Sequence, residues 1–157
     1  MNLILLTPQD CPQTNIAHLT GRRLQHVLDV HQAQVGQQLR VGMINGLMGN
    51  AEVLHLDKQS LQLRFALDQT PPAKLPLTLL LALPRPKMLK RILQTIATMG
   101  VERLVLMNSY RVEKSFWDSP FLQAEAIQEQ LILGLEQSKD TVLPEVILEK
   151  RFKPFVE

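Results

Sequence analysis

Cysteine is almost missing from this 157-residue chain: Cys11 stands alone, which excludes an intrachain disulfide and a cysteine-rich metal site. Long apolar runs are missing too. The longest, Leu77–Leu83, is far short of the roughly twenty residues that a membrane-spanning helix needs, and Met1–Leu6 lacks the basic start and extended apolar stretch of a signal peptide. A soluble, unexported, cytoplasmic protein is the expectation. Aromatic residues make up only 4% of the chain, so Phe116 and Trp117 read first as anchors of a loop and only second as a platform for bases. His18, His26, His31 and His55 are scattered without ligand spacing, so no metal site is expected. There is no Walker-type loop, no nucleophile–base pair and no pair of carboxylates with a mechanical rationale. Net charge is also small: the formal value of +2 is shared evenly, with six Lys/Arg against five Asp/Glu up to Lys74 and eleven against ten thereafter. Any affinity for nucleic acid therefore has to come from local clustering.

One such cluster exists. Between Asp68 and Glu102 there is no acidic residue but five basic ones, and four of these, Arg85, Lys87, Lys90 and Arg91, crowd where a leucine-rich segment gives way to a helical pattern. In open α/β sheets ligands bind at the carboxyl ends of strands, where loops diverge and helix N-termini present unpaired N–H groups. An anionic partner follows as the first hypothesis, since phosphate neutralisation dominates the affinity for RNA. A solvated helix face is the plain alternative for these cations.

The pattern of the chain supplies the setting. From Gln38 to Leu67 it reads as short strands, most clearly where Leu61, Leu63, Phe65 and Leu67 alternate with Gln62, Arg64 and Ala66, the two-residue period of a half-buried strand. Asn45-Gly46 suits a tight hairpin, and Gly49 offers a second permissive position. Arg22–Val30 reads as a short helix. Asp68–Lys74, with Pro71-Pro72, is a stiff linker, because neither proline can donate to a ladder. Beyond it, Leu77–Leu83 reads as a strand covered on both faces and Lys87–Met99 as a helix with Leu89, Ile92, Leu93 and Ile96 in one stripe and a solvated basic face opposite. Gly100 ends that helix, and Leu104–Met107 is a second buried strand, which completes a βαβ unit. Asn108–Trp117 reads as a polar loop, Ser119-Pro120 as the cap and first turn of a helix running to about Ser138, and Val146–Leu148 as a third strand. Arg111 and Lys114 fall on the loop after the second strand, as RNA contacts or as partners in surface ion pairs with Glu113 or Asp118.

Several segments, taken in order, resemble the ribosomal small-subunit methyltransferase E family: His26-Val27-Leu28, Gly36, Asn45-Gly46 and Gly49, then Leu83-Pro84, Lys87-Met88, Ile92-Leu93-Gln94, Met99-Gly100-Val101, Ser109 with Arg111, Glu136-Gln137-Ser138 and Pro144-Glu145. The resemblance implies an α/β protein overall. It implies that a small N-terminal PUA-like β-barrel that binds RNA, residues 1–72, precedes the first half of a parallel-sheet, SPOUT-type α/β methyltransferase domain, residues 75–157. It implies methylation of a uridine N3 in 16S ribosomal RNA with S-adenosylmethionine as cofactor, the small ribosomal subunit as partner, and a homodimer. Arg22, Arg23, Arg85, Lys87, Lys90, Arg91, Arg111 and Lys114 are the expected RNA contacts, and Glu136, Gln137 and Ser138 a plausible wall of the active site.

Asp29, Gln37 and Thr98 stand where that family usually carries arginine, an acid and glutamate. Nothing resembling its glycine-rich cofactor loop occurs, so a truncated chain is expected, with the main cofactor segment beyond Glu157 and no turnover on its own. Half a parallel sheet would leave an unpaired edge that favours self-association. Two other classes fit the same features: a noncatalytic RNA-binding module, and a small-molecule α/β enzyme holding a free nucleotide at its basic rim.

Overall fold

Alternation of apolar and polar residues, clearest along Leu61–Gln69, builds the first unit. The computed structural model describes Met1–Glu157, and its first compact unit comprises Met1–Pro71 together with Lys139–Val142. Five strands, β1 (Ile4–Leu6), β2 (Ile16–Leu19), β3 (Gln38–Met43), β4 (Met48–Leu56) and β5 (Leu61–Gln69), form one sheet in the order β1-β3-β4-β5-β2. β1 runs parallel to β3 and every other pairing is antiparallel. The sheet curls into a half-barrel. Its concave face carries every second residue: Ile4 and Leu6, Ala17 and Leu19, Leu39 and Val41, Ala51 and Val53, and Leu61, Leu63 and Phe65. Helix α1 (Gly21–His26) continues into a wide turn at Val27–His31 and adds Leu24 and Val27 to that core. Removing one of the leucine, isoleucine, valine or phenylalanine side chains from water stabilises the fold by about 2 kcal/mol.

Two turn glycines behave differently from expectation. Asn45 alone takes the left-handed conformation in the β3–β4 hairpin, at φ 57°, and Gly46 closes the turn by donating its N–H to the Met43 carbonyl at 2.8 Å. Gly49 lies inside β4, at a register shift in its pairing with β5. Its role is steric: a Cβ there would sit 1.9 Å from the Ala66 carbonyl oxygen. The hairpin is further held by Thr141, whose hydroxyl donates to the Gly46 carbonyl at 2.5 Å and whose carbonyl accepts from the Asn45 N–H at 2.7 Å. Asp140 in turn accepts from the Thr141 and Val142 backbone N–H groups.

The second unit, Pro72–Ser138 with Leu143–Glu157, is a layered α/β structure. Its elements are β6 (Leu75–Ala82), α2 (Pro86–Met99), β7 (Val101–Met107), α3 (Lys114–Trp117), α4 (Ala124–Ser138), β8 (Glu145–Glu149) and α5 (Phe152–Val156). The three strands are all parallel, in the order β6-β7-β8. On α2 the expected stripe is buried at Leu89, Leu93 and Ile96, joined by Ala97, and Gly100 caps the helix at φ 77°. The helix packs against α4, most tightly at Gly134, where a Cβ would meet the Gln94 carbonyl oxygen at 2.4 Å and the Ala97 Cβ at 2.8 Å.

Three expectations for this unit are overturned. β6 is not covered on both faces: it is an edge strand, hydrogen-bonded only to β7, and Leu75, Leu77 and Leu80 are between 42% and 49% exposed. The polar face of α2 is not wholly solvated, because Gln94 donates to Gln130 on α4 at 2.7 Å and the Lys90 ammonium lies 3.8 Å from the centroid of the Phe121 ring. Ser119-Pro120 does not start α4: Ser119 caps a separate single turn, Pro120–Leu122, by accepting from the Phe121 N–H, and Gln123 is extended before the helix begins at Ala124. No helix is long and apolar enough to cross a membrane.

Candidate nucleic-acid interface

Because β6, β7 and β8 are parallel, their carboxyl ends share one edge of the sheet, and at a spacing of about 4.8 Å per strand the three ends span only about 10 Å. After β6 the chain turns through Pro84 into Arg85, the residue preceding α2, with Pro86 at the first helical position, where a missing N–H costs nothing. Arg85 and Lys87 are exposed there. The first N–H groups of the fourteen-residue α2 add fixed positive potential. After β7, Arg111 and Lys114 are exposed on the next loop and at the start of α3. Neither forms an ion pair with Glu113 or Asp118. Four cations expected from sequence are thus gathered on one rim: Arg85, Lys87, Arg111 and Lys114.

The other expected cations are used or oriented differently. Lys90 is held over Phe121. Arg91 is exposed but lies further along α2, where it lines a shallow groove with Gln94, Thr95, Thr98 and Met99. In the first unit Arg22 is exposed on α1. Its neighbour Arg23 is committed internally: both terminal nitrogens donate to the Asp10 carboxylate at 2.7 Å, and one also donates to the Leu5 carbonyl at 2.8 Å. Asp10 further accepts from the backbone N–H and hydroxyl of Thr7. Burial raises the Asp10 pKa, but the Arg23 and Thr7 hydrogen bonds and the Arg23 charge outweigh it and hold the carboxyl below its usual value.

Glu136, Gln137 and Ser138 do not wall this rim. A crossover helix runs antiparallel to the strands it joins, so the carboxyl end of α4 lies at the amino ends of β7 and β8. Glu136 is buried at 1% exposure, Gln137 is exposed, and the Ser138 hydroxyl donates to the Gly134 and Leu135 carbonyls of its own helix. Helix polarity thus places the tripeptide at the opposite end of the sheet from the rim cations.

Sequence reasoning missed the contribution of the third strand. Lys150 and Arg151 directly follow β8 and so reach the same edge as Arg85 and Arg111. The rule that singled out the earlier cations, a basic residue just past a buried strand, applies equally to them. Between this end and α3 lies a groove of about 680 Å³, bordered by Trp117, Asp118, Leu148, Glu149, Lys150 and Arg151. The Trp117 indole N–H donates to the Asn108 side-chain oxygen at 3.2 Å, and the Lys150 ammonium lies 5.3 Å from the ring centroid. No three His, Cys, Asp or Glu side chains converge as metal ligands would.

Known proteins are similar to this chain in sequence and in fold. The chain is 28% identical over 157 residues to ribosomal RNA small subunit methyltransferase E of Treponema pallidum, an alignment covering 99% of this chain and 59% of that protein. It is 26% identical over 158 residues to ribosomal RNA small subunit methyltransferase E 1 of Borreliella burgdorferi, covering 98% and 63%. The chain thus spans about three fifths of the length of these curated relatives. Among solved structures, a ribosomal RNA small subunit methyltransferase E from Neisseria gonorrhoeae bound to S-adenosyl methionine superposes with a TM-score of 0.71 at 18% identity, over 95% of this chain and 61% of that one. The family model described as RNA methyltransferase domain matches residues 71–157. With more than half of its length matched, and the matched part being the parallel unit that bears the basic rim, the chain belongs to the RNA methyltransferase domain family.

Proposed function

We propose that this chain is the RNA-gripping portion of an S-adenosylmethionine-dependent methyltransferase that acts on N3 of a uridine in 16S ribosomal RNA, within the small ribosomal subunit, in the cytoplasm. The observation that carries it is the gathering of Arg85, Lys87, Arg111 and Lys114, without carboxylate partners, at the carboxyl ends of β6 and β7 inside the family match. Phosphate oxygens along an RNA strand supply the counter-charge such a rim lacks, and each neutralised phosphate releases condensed ions. The half-barrel, with Arg22 exposed on α1, serves as the second RNA-binding element.

The cofactor makes different demands. Its sulfonium is positively charged, and Arg85, Lys87, Arg111 and Lys114 repel it, so these four rim residues do not by themselves build its site. Methyl-donor binding is assigned to the part of the relatives' length outside the match. Methyl transfer to a ring nitrogen needs the two reactants held in line and a route for the N3 proton. This chain contributes the first of these by fixing the RNA.

The test is to incubate the chain with labelled S-adenosylmethionine and small ribosomal subunits. The expected outcome is salt-sensitive binding to the subunit without methyl incorporation; incorporated label would overturn the assignment of the cofactor site. A noncatalytic RNA-binding module is favoured instead if the gene-length protein binds RNA but shows no heat of binding with S-adenosylmethionine. Tighter binding of a free nucleotide than of RNA would favour a small-molecule enzyme.

A further inference from the structure

The groove after β8 differs in chemistry from the rest of the rim. Asp118 and Glu149 border it along with Lys150 and Arg151, so its charge is balanced, which ill suits a phosphate but suits a polar base edge. Leu148, 44% exposed, provides an apolar flank beside the indole of Trp117. The indole is steadied by its hydrogen bond to Asn108. At 5.3 Å from the ring, Lys150 caps it only loosely.

From these features we infer that the groove receives one unpaired RNA base, stacked on Trp117, with guanine preferred. Stacking on an aromatic face is open to every base, so preference has to come from the base edge. A carboxylate offers two acceptor oxygens and no donor. Guanine matches that pair with N1–H and the exocyclic N2 amino group, whereas adenine and cytosine present one amino group beside an acceptor and uracil a single N–H between carbonyls. Glu149 is the reader: its side chain already accepts the Arg151 backbone N–H at 3.0 Å through one oxygen, which holds the carboxylate at the groove wall. The entering base displaces the Lys150 ammonium from the ring toward the adjoining phosphate, so the cation changes partner without being left unpaired. The inference rests on the proposed RNA binding and specifies which base that RNA presents.

Trp117 is the chain's only tryptophan, so its fluorescence reports the event on the unaltered protein. Short single-stranded RNAs of one length, carrying a single guanine, inosine, adenine or uracil in an abasic background, are titrated while RNA binding is followed separately by the anisotropy of an end label. The expected result is quenching of Trp117 by the guanine oligonucleotide at concentrations about tenfold lower than for inosine, which lacks the N2 amino group. Glu149→Gln should erase the guanine–inosine difference while leaving quenching. Trp117→Phe should keep the guanine preference in anisotropy, and Trp117→Leu should weaken binding about tenfold, the order expected for loss of one stacked base. Binding seen by anisotropy with no quenching, or with equal quenching by guanine and inosine, would overturn the groove while leaving RNA binding intact. Absence of any anisotropy change at low salt would overturn the RNA reading itself.

Discussion

Among single residues, Asp10 and Arg23 show most directly how a charge that seems available in sequence is spent in the fold. Their pair is largely shielded, with side-chain exposures of 12% and 21%, and is completed by the Thr7 N–H and the Leu5 carbonyl. Asp10→Asn leaves the Arg23 guanidinium without its counter-charge and should cost roughly 1–2 kcal/mol, the range of a charge-assisted hydrogen bond discounted for partial exposure. The pH dependence follows from the depressed pKa. The folded carboxyl ionises below the unfolded value of 3.8, so its contribution is fully present above that value and is lost as pH falls through the folded one. In urea titrations followed by circular dichroism, the gap between the parent chain and Asp10→Asn should be full near neutrality and close as pH drops below 3.8. A gap that is unchanged in acid would show that the pair contributes nothing through ionisation. Such partnerships were not legible beforehand, because Asp10 lies thirteen residues from Arg23 and Phe121 thirty-one from Lys90, and no local pattern links them.

At the level of elements, legibility tracked the length and punctuation of each segment. Helix α2 has fourteen residues, a proline at its start, a glycine at its end and a clean apolar stripe, so it could be read almost to the residue. β5 was equally plain from its alternation. β1 and β2 were not read at all, since three and four residues are too few to display a period, and β1 is buried throughout. The start of α4 was misplaced because Ser119-Pro120 is a valid cap and first turn that simply serves a different, shorter turn. The close crossing of α2 and α4 was hidden as well, since a glycine inside a helical pattern gives no hint of what lies against it. Gly134→Ala should therefore destabilise the parallel unit by about 1–3 kcal/mol through overpacking, although alanine is intrinsically the better helix former. Differential hydrogen exchange along α2 and α4 should locate the loss at this crossing. A variant as stable as the parent would show that the helices can separate without cost.

Across the whole molecule, sequence conveyed the basic rim but not its limits. Arg85, Lys87, Arg111 and Lys114 were found by asking which cations follow strands, and the same question would have found Lys150 and Arg151. If the four exposed rim cations each neutralise one phosphate of single-stranded RNA, the logarithmic dependence of affinity on salt should lose about 0.7 of slope with each alanine substitution. Lys90→Ala, at a side chain already engaged by Phe121, should change the slope less than Lys87→Ala. Equal losses would mean that the Phe121 contact does not withhold Lys90 from RNA.

The open side of β6 sets the last expectation at this scale. Sequence showed an apolar strand but could not show which neighbours it has, and the structure pairs it on one side only, with Leu75, Leu77 and Leu80 exposed. An apolar strand with unpaired N–H and carbonyl groups along one edge is a template for another strand, and the least specialised partner is the same strand of a second copy. Two copies related by a two-fold axis would pair β6 with β6 antiparallel and so form one six-stranded sheet, a self-complementary contact that closes at the dimer. Sedimentation should therefore show mass rising with protein concentration toward a dimer. Leu77→Lys places a charge in the centre of that edge, at an exposed position where the monomer loses little, and should return the chain to monomer. A parent chain that stays monomeric across the concentration range would show that β6 is not the surface through which copies meet.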